Sequence, residues 1–414
     1  MPTFTLTDVS HDVWVETLAV DSAELGLAVT APWSLSKRRL HGGRRDGVDL
    51  IVVDNGELRF LVVPTRGMGL WKGFYQGNIL GWESPVTDGP IHPALVNLAA
   101  SGGLGWLEGF DELMARCGLE NNGAPFELRT PLPDGTESRV AFGLHGRIAN
   151  IPASYVAVHV DPEPPHEITV EGHVEEVRLF GPQFRLETRY RTIPGSNRLT
   201  VRDEVVNLKD QPAEFQLLYH WNFGPPFLNE GARFSAPILA MCPRDARAQE
   251  GIARHDRYNG PRPGDTEQVY FYDLAAGTDA LDRPAAGDAA VEGRSAGPTL
   301  AMLHNAAGDR GVVLRFRKEQ LPAFTLWKNT AGLRDGYVTG LEPGTNYPNP
   351  RPFEHDRGRV ITLEPGGRYV AETVLEVLAT PREVAEVQAE IQRIQSGVQP
   401  TVHPRPVEPF APAS

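Results

Sequence analysis

Three short stretches put proton-carrying side chains where apolar runs break off. In Leu217–Leu228 the sequence reads Leu-Leu-Tyr-His-Trp-Asn-Phe-Gly-Pro-Pro-Phe-Leu. Its β-type run (Phe215, Leu217, Leu218, Tyr219) stops at Gly224-Pro225-Pro226, which cannot continue a sheet ladder. His220 and Asn222 fall two residues apart, so on a strand an imidazole and an amide share one face. In Phe142-Gly-Leu-His145-Gly-Arg147 a His stands between glycines and just ahead of a cation. In Tyr337-Val-Thr-Gly-Leu-Glu342-Pro-Gly-Thr-Asn346 a carboxylate closes an apolar strand and meets a Pro-Gly break at once. Imidazole and carboxylate together are the usual equipment of general acid–base catalysis near neutral pH. Spacing alone leaves a plainer reading open, because strand-end His and Glu residues commonly cap turns.

The bulk composition narrows the chemistry. A formal charge of −13 over 414 residues argues against a nucleic-acid partner, whose binding depends on neutralising phosphates. The short basic runs Lys37-Arg38-Arg39 and Arg44-Arg45 sit beside acidic residues. A neutral or weakly charged small molecule fits this balance better. Two cysteines, Cys117 and Cys242, form neither a disulfide framework nor a Cys/His zinc cluster, so no metal is expected. The start of the chain has no basic and apolar leader pattern, and no apolar run reaches membrane-spanning length. A cytoplasmic protein without a membrane partner is the expectation. No P-loop, dinucleotide fingerprint or nucleophile elbow is present, and no cofactor is expected.

The elements that must position these residues read as strands. High Gly (42) and Pro (36) contents suit many strands joined by tight turns. Val48–Val53 and Leu58–Val63 flank Asp54-Asn55-Gly56, a hairpin turn. Alternation is clearest in Tyr155–Val160, Glu167–Val174, Glu176–Leu179, Phe184–Tyr190 and Arg198–Val206, a spacing that suits a meandering antiparallel sheet. Glu267–Leu274, Thr299–His304, Gly311–Phe316, Phe324–Lys328, Val360–Leu363 and Tyr369–Val377 continue it, with a Gly/Ala/Asp loop over 275–297. Apolar residues Trp106, Phe110, Leu113 and Met114 fall at helical spacing and predict a helix over Trp106–Cys117. Val384, Val387, Ile391 and Ile394 predict a helix after Thr380. Residues 1–380 therefore read as a single domain. Within it, 1–45 is an N-terminal lead-in and 73–125 is an insertion that either rims a pocket or caps a sheet. Residues 381–414 read as a C-terminal helix followed by an extended Pro-rich tail. Arg66, in Pro64-Thr-Arg-Gly-Met-Gly, is either a substrate contact or one half of a structural ion pair.

Seven segments together identify a family. They are Pro64-Thr-Arg-Gly-Met-Gly, Gly105-Trp-Leu-Glu-Gly-Phe, Arg116-Cys-Gly-Leu, Leu144-His-Gly-Arg, Leu218-Tyr-His-Trp-Asn-Phe-Gly-Pro-Pro, Glu267-Gln-Val-Tyr and Gly340-Leu-Glu-Pro-Gly-Thr-Asn. In this order, over roughly residues 45–377, the chain resembles the galactose mutarotase-like superfamily, and within it the DUF4432 branch of aldose 1-epimerase-like proteins. The resemblance implies a mainly β fold, an antiparallel β-supersandwich with few helices. It also implies His220 as general acid, Glu342 as general base and His145 as an orienting group, facing one another across a carbohydrate. Two departures are visible: the usual His-His is Tyr219-His220, and the Asn-Arg pair ahead of the first His is absent. Arg147 or Arg66 is the candidate to replace that pair, and Glu267 the candidate for the substrate-holding acid. Asn222, Trp106, Trp327 and Lys328 complete the expected substrate contacts, and Trp221 is a further ring for the apolar face of a pyranose. In the base role Glu342 must stay ionised, which calls for hydrogen bonds or a nearby cation such as Arg66, Arg147 or Lys328. The implied activity is cofactor-free anomer interconversion of a free sugar. Alternatives are a lyase, isomerase or hydrolase acting on a keto-sugar or uronate, and a non-catalytic carbohydrate-binding protein. A homodimer is left open.

Overall fold

The computed structural model describes residues 2–131, 134, 136–277 and 296–412. Two large sheets face each other. The ten-stranded sheet runs, in spatial order, through Arg233–Ser235, Pro298–His304, Gly311–Arg317, Arg368–Leu378, Arg198–Asn207, Gln183–Thr192, Ile168–Val177, Tyr155–Val160, Thr3–Asp8 and Val13–Trp14. The fourteen-stranded sheet holds at its centre Gln268–Leu274, Ala323–Asn329, Val338–Gly344, Ala213–Phe223 and Met114–Leu119, side by side in that order. Neighbours pair antiparallel, apart from the short strand Thr401–Val402, which joins Ile238–Pro243 in parallel. The inward residues of both sheets, such as Val158, Val170, Leu186 and Val201 against Phe60, Leu217, Tyr219 and Trp221, make one core.

Strands with period-2 alternation lie close to where the sequence puts them. Tyr155–Val160 coincides at both ends, and the hairpin Asp49–Asp54 with Leu58–Val63 turns at Gly56, which takes a φ of 95° that glycine adopts freely. Glu167–Val174 and Glu176–Leu179 are one strand, Ile168–Val177. The helix expected over Trp106–Cys117 is absent. Gly105–Gly109 forms a short 3-10 turn, and Met114–Leu119 is a strand buried at every position. Cover on both faces removes the alternation that would mark it as a strand, and the apolar run then mimics helical spacing. The first 45 residues supply strands Thr3–Asp8, Val13–Trp14, Leu18–Asp21 and Ser34–Arg39 rather than a lead-in alone. The loop expected at 275–297 lies largely outside the described residues. Among the described residues, no helix is long and apolar enough to cross a membrane.

The C-terminal helix Pro381–Gln395 starts on a capping box, in which the Thr380 hydroxyl accepts from the Glu383 amide and the Glu383 carboxylate accepts from the Thr380 amide. It buries Val384, Val387 and Ile391 against Leu300, Met302 and Val313. The tail beyond it docks on its own chain. Asn349 Nδ2 donates to Phe410 O (2.8 Å), Arg357 pairs with Glu408 (2.8 Å), and Phe410 packs on Tyr347.

One ion pair crosses the core. Arg116 lies on the central strand of the larger sheet, and Asp203, Thr188 and Tyr190 lie on the smaller one. Arg116 Nε and Nη2 grip Asp203 at 2.5 and 2.9 Å, and Nη1 donates to Tyr190 Oη and Met68 O at 3.0 Å. Both charged side chains are 0% exposed. Removing one partner leaves the other charge buried and uncompensated, which costs about 3–5 kcal/mol. Asp203→Leu is therefore expected to lower unfolding stability by that amount in urea titration, and a loss below about 1 kcal/mol would show that the pair behaves like a solvated surface bridge.

Candidate active site

Ala213–Phe223 is buried on both faces from Phe215 onward, and its two faces do different work. Leu217, Tyr219, Trp221 and Phe223 point into the sandwich core, while Leu218 packs with Trp82, Trp106, Phe110, Cys117 and Val338 on the other side. His220 and Asn222 share that second face. The neighbouring strands complete a row. His220 pairs in register with Ala115, whose small side chain leaves the imidazole room, and Glu342 pairs with Thr325. Register Trp221↔Leu341 sets Glu342 beside His220, with Nε2 3.1 Å from Oε1. Gly340, two residues before Glu342 on the same face, lies under both groups. A Cβ there would collide with the Glu342 carboxyl and come within 3.1 Å of His220 Cε1.

These side chains line one cavity of about 670 Å³, together with Trp106, Phe110, Leu144, His145, Arg244, Glu267, Val269, Trp327 and Pro412. The volume suits a small ligand. Its walls are mostly apolar, but three buried polar atoms in them have no hydrogen-bond partner: Trp106 Nε1, Thr325 Oγ1 and Glu342 Oε1. The close approach of Glu342 to His220 thus lacks the alignment of a hydrogen bond.

Hydrogen bonds fix the tautomers of both histidines. The Asn222 amide donates to Glu112 O (3.0 Å) and His220 O (2.9 Å), which turns its Oδ1 toward His220 Nδ1 at 2.6 Å. Nδ1 therefore carries the proton, and Nε2 offers a lone pair to Glu342. His145 Nδ1 donates to Asn122 O at 2.9 Å in the same way. His145 has a φ of 58°, a left-handed conformation costing a non-glycine residue about 1 kcal/mol. It is held there by Gly118 N to His145 O and His145 N to Gly123 O, at 3.0 and 2.9 Å. Asn122 is fixed in turn by a reciprocal amide pair with Asn346, at 3.0 and 3.1 Å, which ties the His145 loop to the segment after Glu342.

Burial sets the charge states. The imidazole of His220 sits among the rings of Phe110 (5.1 Å between centroids), Trp327 (5.4 Å) and His145 (5.4 Å). Loss of water there, reinforced by His145, pushes the His220 pKa well below 6.5. Burial likewise lowers His145 to about 4. Burial, with Glu267 nearby, raises Glu342 well above 4.5. Burial thus favours the uncharged form of all three groups, the protonated carboxyl and the neutral imidazoles. None of the cations expected beside Glu342 reaches it, because Arg66, Arg147 and Lys328 lie elsewhere, and the two groups expected on opposite sides of a hollow stand side by side.

His145, His220, Glu342, Trp106, Trp327 and Glu267 meet in this cavity. Glu267 accepts from Trp327 Nε1 (2.7 Å) and pairs with Arg244 (2.8 Å). The other expected contacts lie elsewhere. Asn222 stands behind His220 and orients it. Arg66 is 1% exposed and pairs with Glu112 at 2.5 Å, besides donating to Ile91 O, Gly109 O and Asn150 Oδ1. It is thus a structural ion pair. Arg147 lines a separate cavity with Glu176, and Lys328 projects from the opposite face of the strand that carries Trp327. Trp221 belongs to the core. Sequence reasoning missed Arg244, Thr325 and Pro412, which no local pattern marks, and Phe110, which stands in a family segment but reads as one face of a helix. Gly340 was visible as part of a motif, but without the reason for it.

A family model described as Domain of unknown function (DUF4432) matches residues 45–377. A protein of Klebsiella pneumoniae subsp. pneumoniae MGH 78578, named "putative aldose 1-epimerase", shares 34% identity and a TM-score of 0.87, over 98% of this chain and 100% of that one. A galactose mutarotase-like protein from Clostridium acetobutylicum (15% identity, TM-score 0.53, 82% and 98% covered) shares the fold. So does galactose 1-epimerase from Lactobacillus acidophilus NCFM (13% identity, TM-score 0.50, 83% and 98% covered). No curated protein matches the chain. With two thick antiparallel sheets and this family match along most of its length, the chain belongs to the DUF4432 family and has the galactose mutarotase-like fold.

Proposed function

We propose that the protein is an aldose 1-epimerase-like isomerase, which interconverts the anomers of a free, uncharged sugar by proton transfer between Glu342, His220 and the substrate. The observation that carries this reading is the approach of the Glu342 carboxyl to His220 Nε2, 3.1 Å apart, at the wall of a sugar-sized cavity. In an aldopyranose the ring oxygen and the anomeric hydroxyl are borne by the same carbon, so adjacent acid and base can reach both. Glu342 gives its proton to the ring oxygen as His220 Nε2 takes the proton of the anomeric hydroxyl. The C1–O bond to the ring breaks and a carbonyl forms. The open chain rotates about C1–C2. On closure the imidazolium returns its proton to the carbonyl oxygen, and the Glu342 carboxylate takes one from the attacking hydroxyl. Acid and base thus exchange roles between the two halves of the cycle, and the site ends as it began. His145, neutral and presenting Nε2, orients the substrate, and the rings of Trp106, Phe110 and Trp327 cover its apolar face.

The charge of the lining favours a neutral sugar over a uronate. Among the described residues its one cation, Arg244, is already held by Glu267 and Asp245 at 2.8 Å each, and burial works against charge on His145, His220 and Glu342. The unpartnered Trp106 Nε1 and Thr325 Oγ1 give ligand hydroxyls somewhere to bind, since buried polar atoms without partners cost about 1–3 kcal/mol each.

Glu342→Gln removes the transferable proton while keeping shape. On the best substrate of a panel of neutral sugars, anomer exchange followed by polarimetry or NMR should fall about 100- to 10,000-fold with the melting temperature unchanged, and an unaltered rate would exclude the assignment. Gly340→Ala should lower the rate comparably by displacing the carboxyl, whereas a variant as fast as the parent would show that the crowding at Gly340 is inconsequential. The resting proton can be observed directly. The infrared difference between parent and Glu342→Gln should contain the carbonyl band of a protonated carboxylic acid at neutral pH, and a carboxylate band instead would overturn the proton assignment.

A further inference from the structure

Behind the catalytic wall lies a smaller cavity of about 280 Å³. Strand alternation creates the division: Val269 and Trp327 face the catalytic cavity, and Gln268 and Lys328 face the smaller one. Arg247, Arg254, Arg257, Arg262 and Lys328 line it, against Glu250 and Asp265. Asp256, 3.9 Å from Arg257, adds a third carboxylate and leaves the cations in excess. This concentration of positive charge runs against a chain whose net charge is −13. Arg247 is held by Glu250 (2.5 Å) and Asp265, whereas Arg254 and Arg262 enter no ion pair among the described residues.

Lys328 is 4% exposed, and its ammonium donates to the carbonyls of Arg254, His255 and Arg257, at 3.2, 3.0 and 2.7 Å, and lies 4.7 Å from the centre of the Tyr258 ring. These bonds use its protons without neutralising its charge, and burial lowers its pKa to about 8. Two polar atoms here also lack partners: Arg247 Nε, and the hydroxyl of fully buried Tyr270, which lies against Gly251 in the wall.

We propose that this pocket binds a small dianionic oxyanion, inorganic phosphate or the phosphoryl group of a metabolite. Planar guanidinium forks match such oxygens two at a time, and a compact ammonium supplies charge from beneath. The segment between Arg244 and Glu267 forms most of the pocket, and those two residues clasp each other at the catalytic mouth (2.8 Å). An anion that orders the segment therefore also braces the mouth.

The test is calorimetric titration of the full-length protein with inorganic phosphate and with glycerol 3-phosphate, at constant ionic strength, with sodium chloride as the control. Saturable one-site binding is expected. Arg254→Ser and Arg262→Ser, both at exposed side chains outside the catalytic cavity, should each weaken it about tenfold or more and leave phosphate-free anomer exchange and melting temperature unchanged. Binding of the ester as well as the ion would assign the site to a phosphorylated metabolite, and binding of the ion alone would assign it to free phosphate. Heat effects matched by chloride, or variants that bind like the parent, would overturn the proposal. The readout is binding, so it stands apart from the isomerase assignment.

Discussion

The Arg116–Asp203 pair is the constraint on which the rest of the molecule is built. It fastens the central strand of one sheet to the inner face of the other through an otherwise apolar core, and its depth makes the join strict about register. A one-residue slip of Met114–Leu119 would send Arg116 to the wrong side and place a longer side chain where Ala115 now stands beside His220. The ion pair and the imidazole therefore depend on the same strand being seated in the same way, although the two groups lie on opposite faces of it.

Around the cavity the protein uses dryness rather than charge. His220 and Glu342 are brought together where aromatic rings exclude water, which works against the charged form of each. What keeps this arrangement from being arbitrary is a set of amides and carbonyls one layer back. Asn222 fixes the tautomer of His220, and the Asn122–Asn346 pair fixes the carbonyl that fixes His145. Arg66 takes part at one further remove. It binds the carboxylate of Glu112, whose backbone carbonyl accepts from Asn222. An arginine that sequence alone leaves poised between ligand contact and scaffold is thus scaffold, but scaffold for the histidine.

Legibility of the fold in the sequence follows local periodicity. Tyr155–Val160 and Arg198–Asn207 bury alternate residues and can be read almost to their ends. Met114–Leu119 cannot, because one face meets the opposite sheet and the other lies under Trp82, Trp106 and Phe110, and the N-terminal strands cannot, because their outward residues are too polar to stand out. The three proton-carrying residues were legible because each closes an apolar run at a Gly or Pro break and matches a family motif. The remainder of the site was not. Thr325, Phe110 and Arg244 come together only through strand order, and Lys328 differs from Trp327 by a single position that turns it to the other face. Parity along a strand decides such cases, and parity is visible only once the two faces are known.

The cavity wall includes Trp106 near one quarter of the chain, His220 near its middle, Glu342 late, and Pro412 in the docked tail. Val338–Gly344 and Arg368–Leu378 sit in the interior of the two sheets, so during vectorial synthesis the core closes only once the carboxyl is in place, and the wall at Pro412 is added last. The hollow is therefore complete only after nearly the entire polypeptide has emerged, and a chain cut just short of Pro412 keeps both sheets but lacks part of that wall.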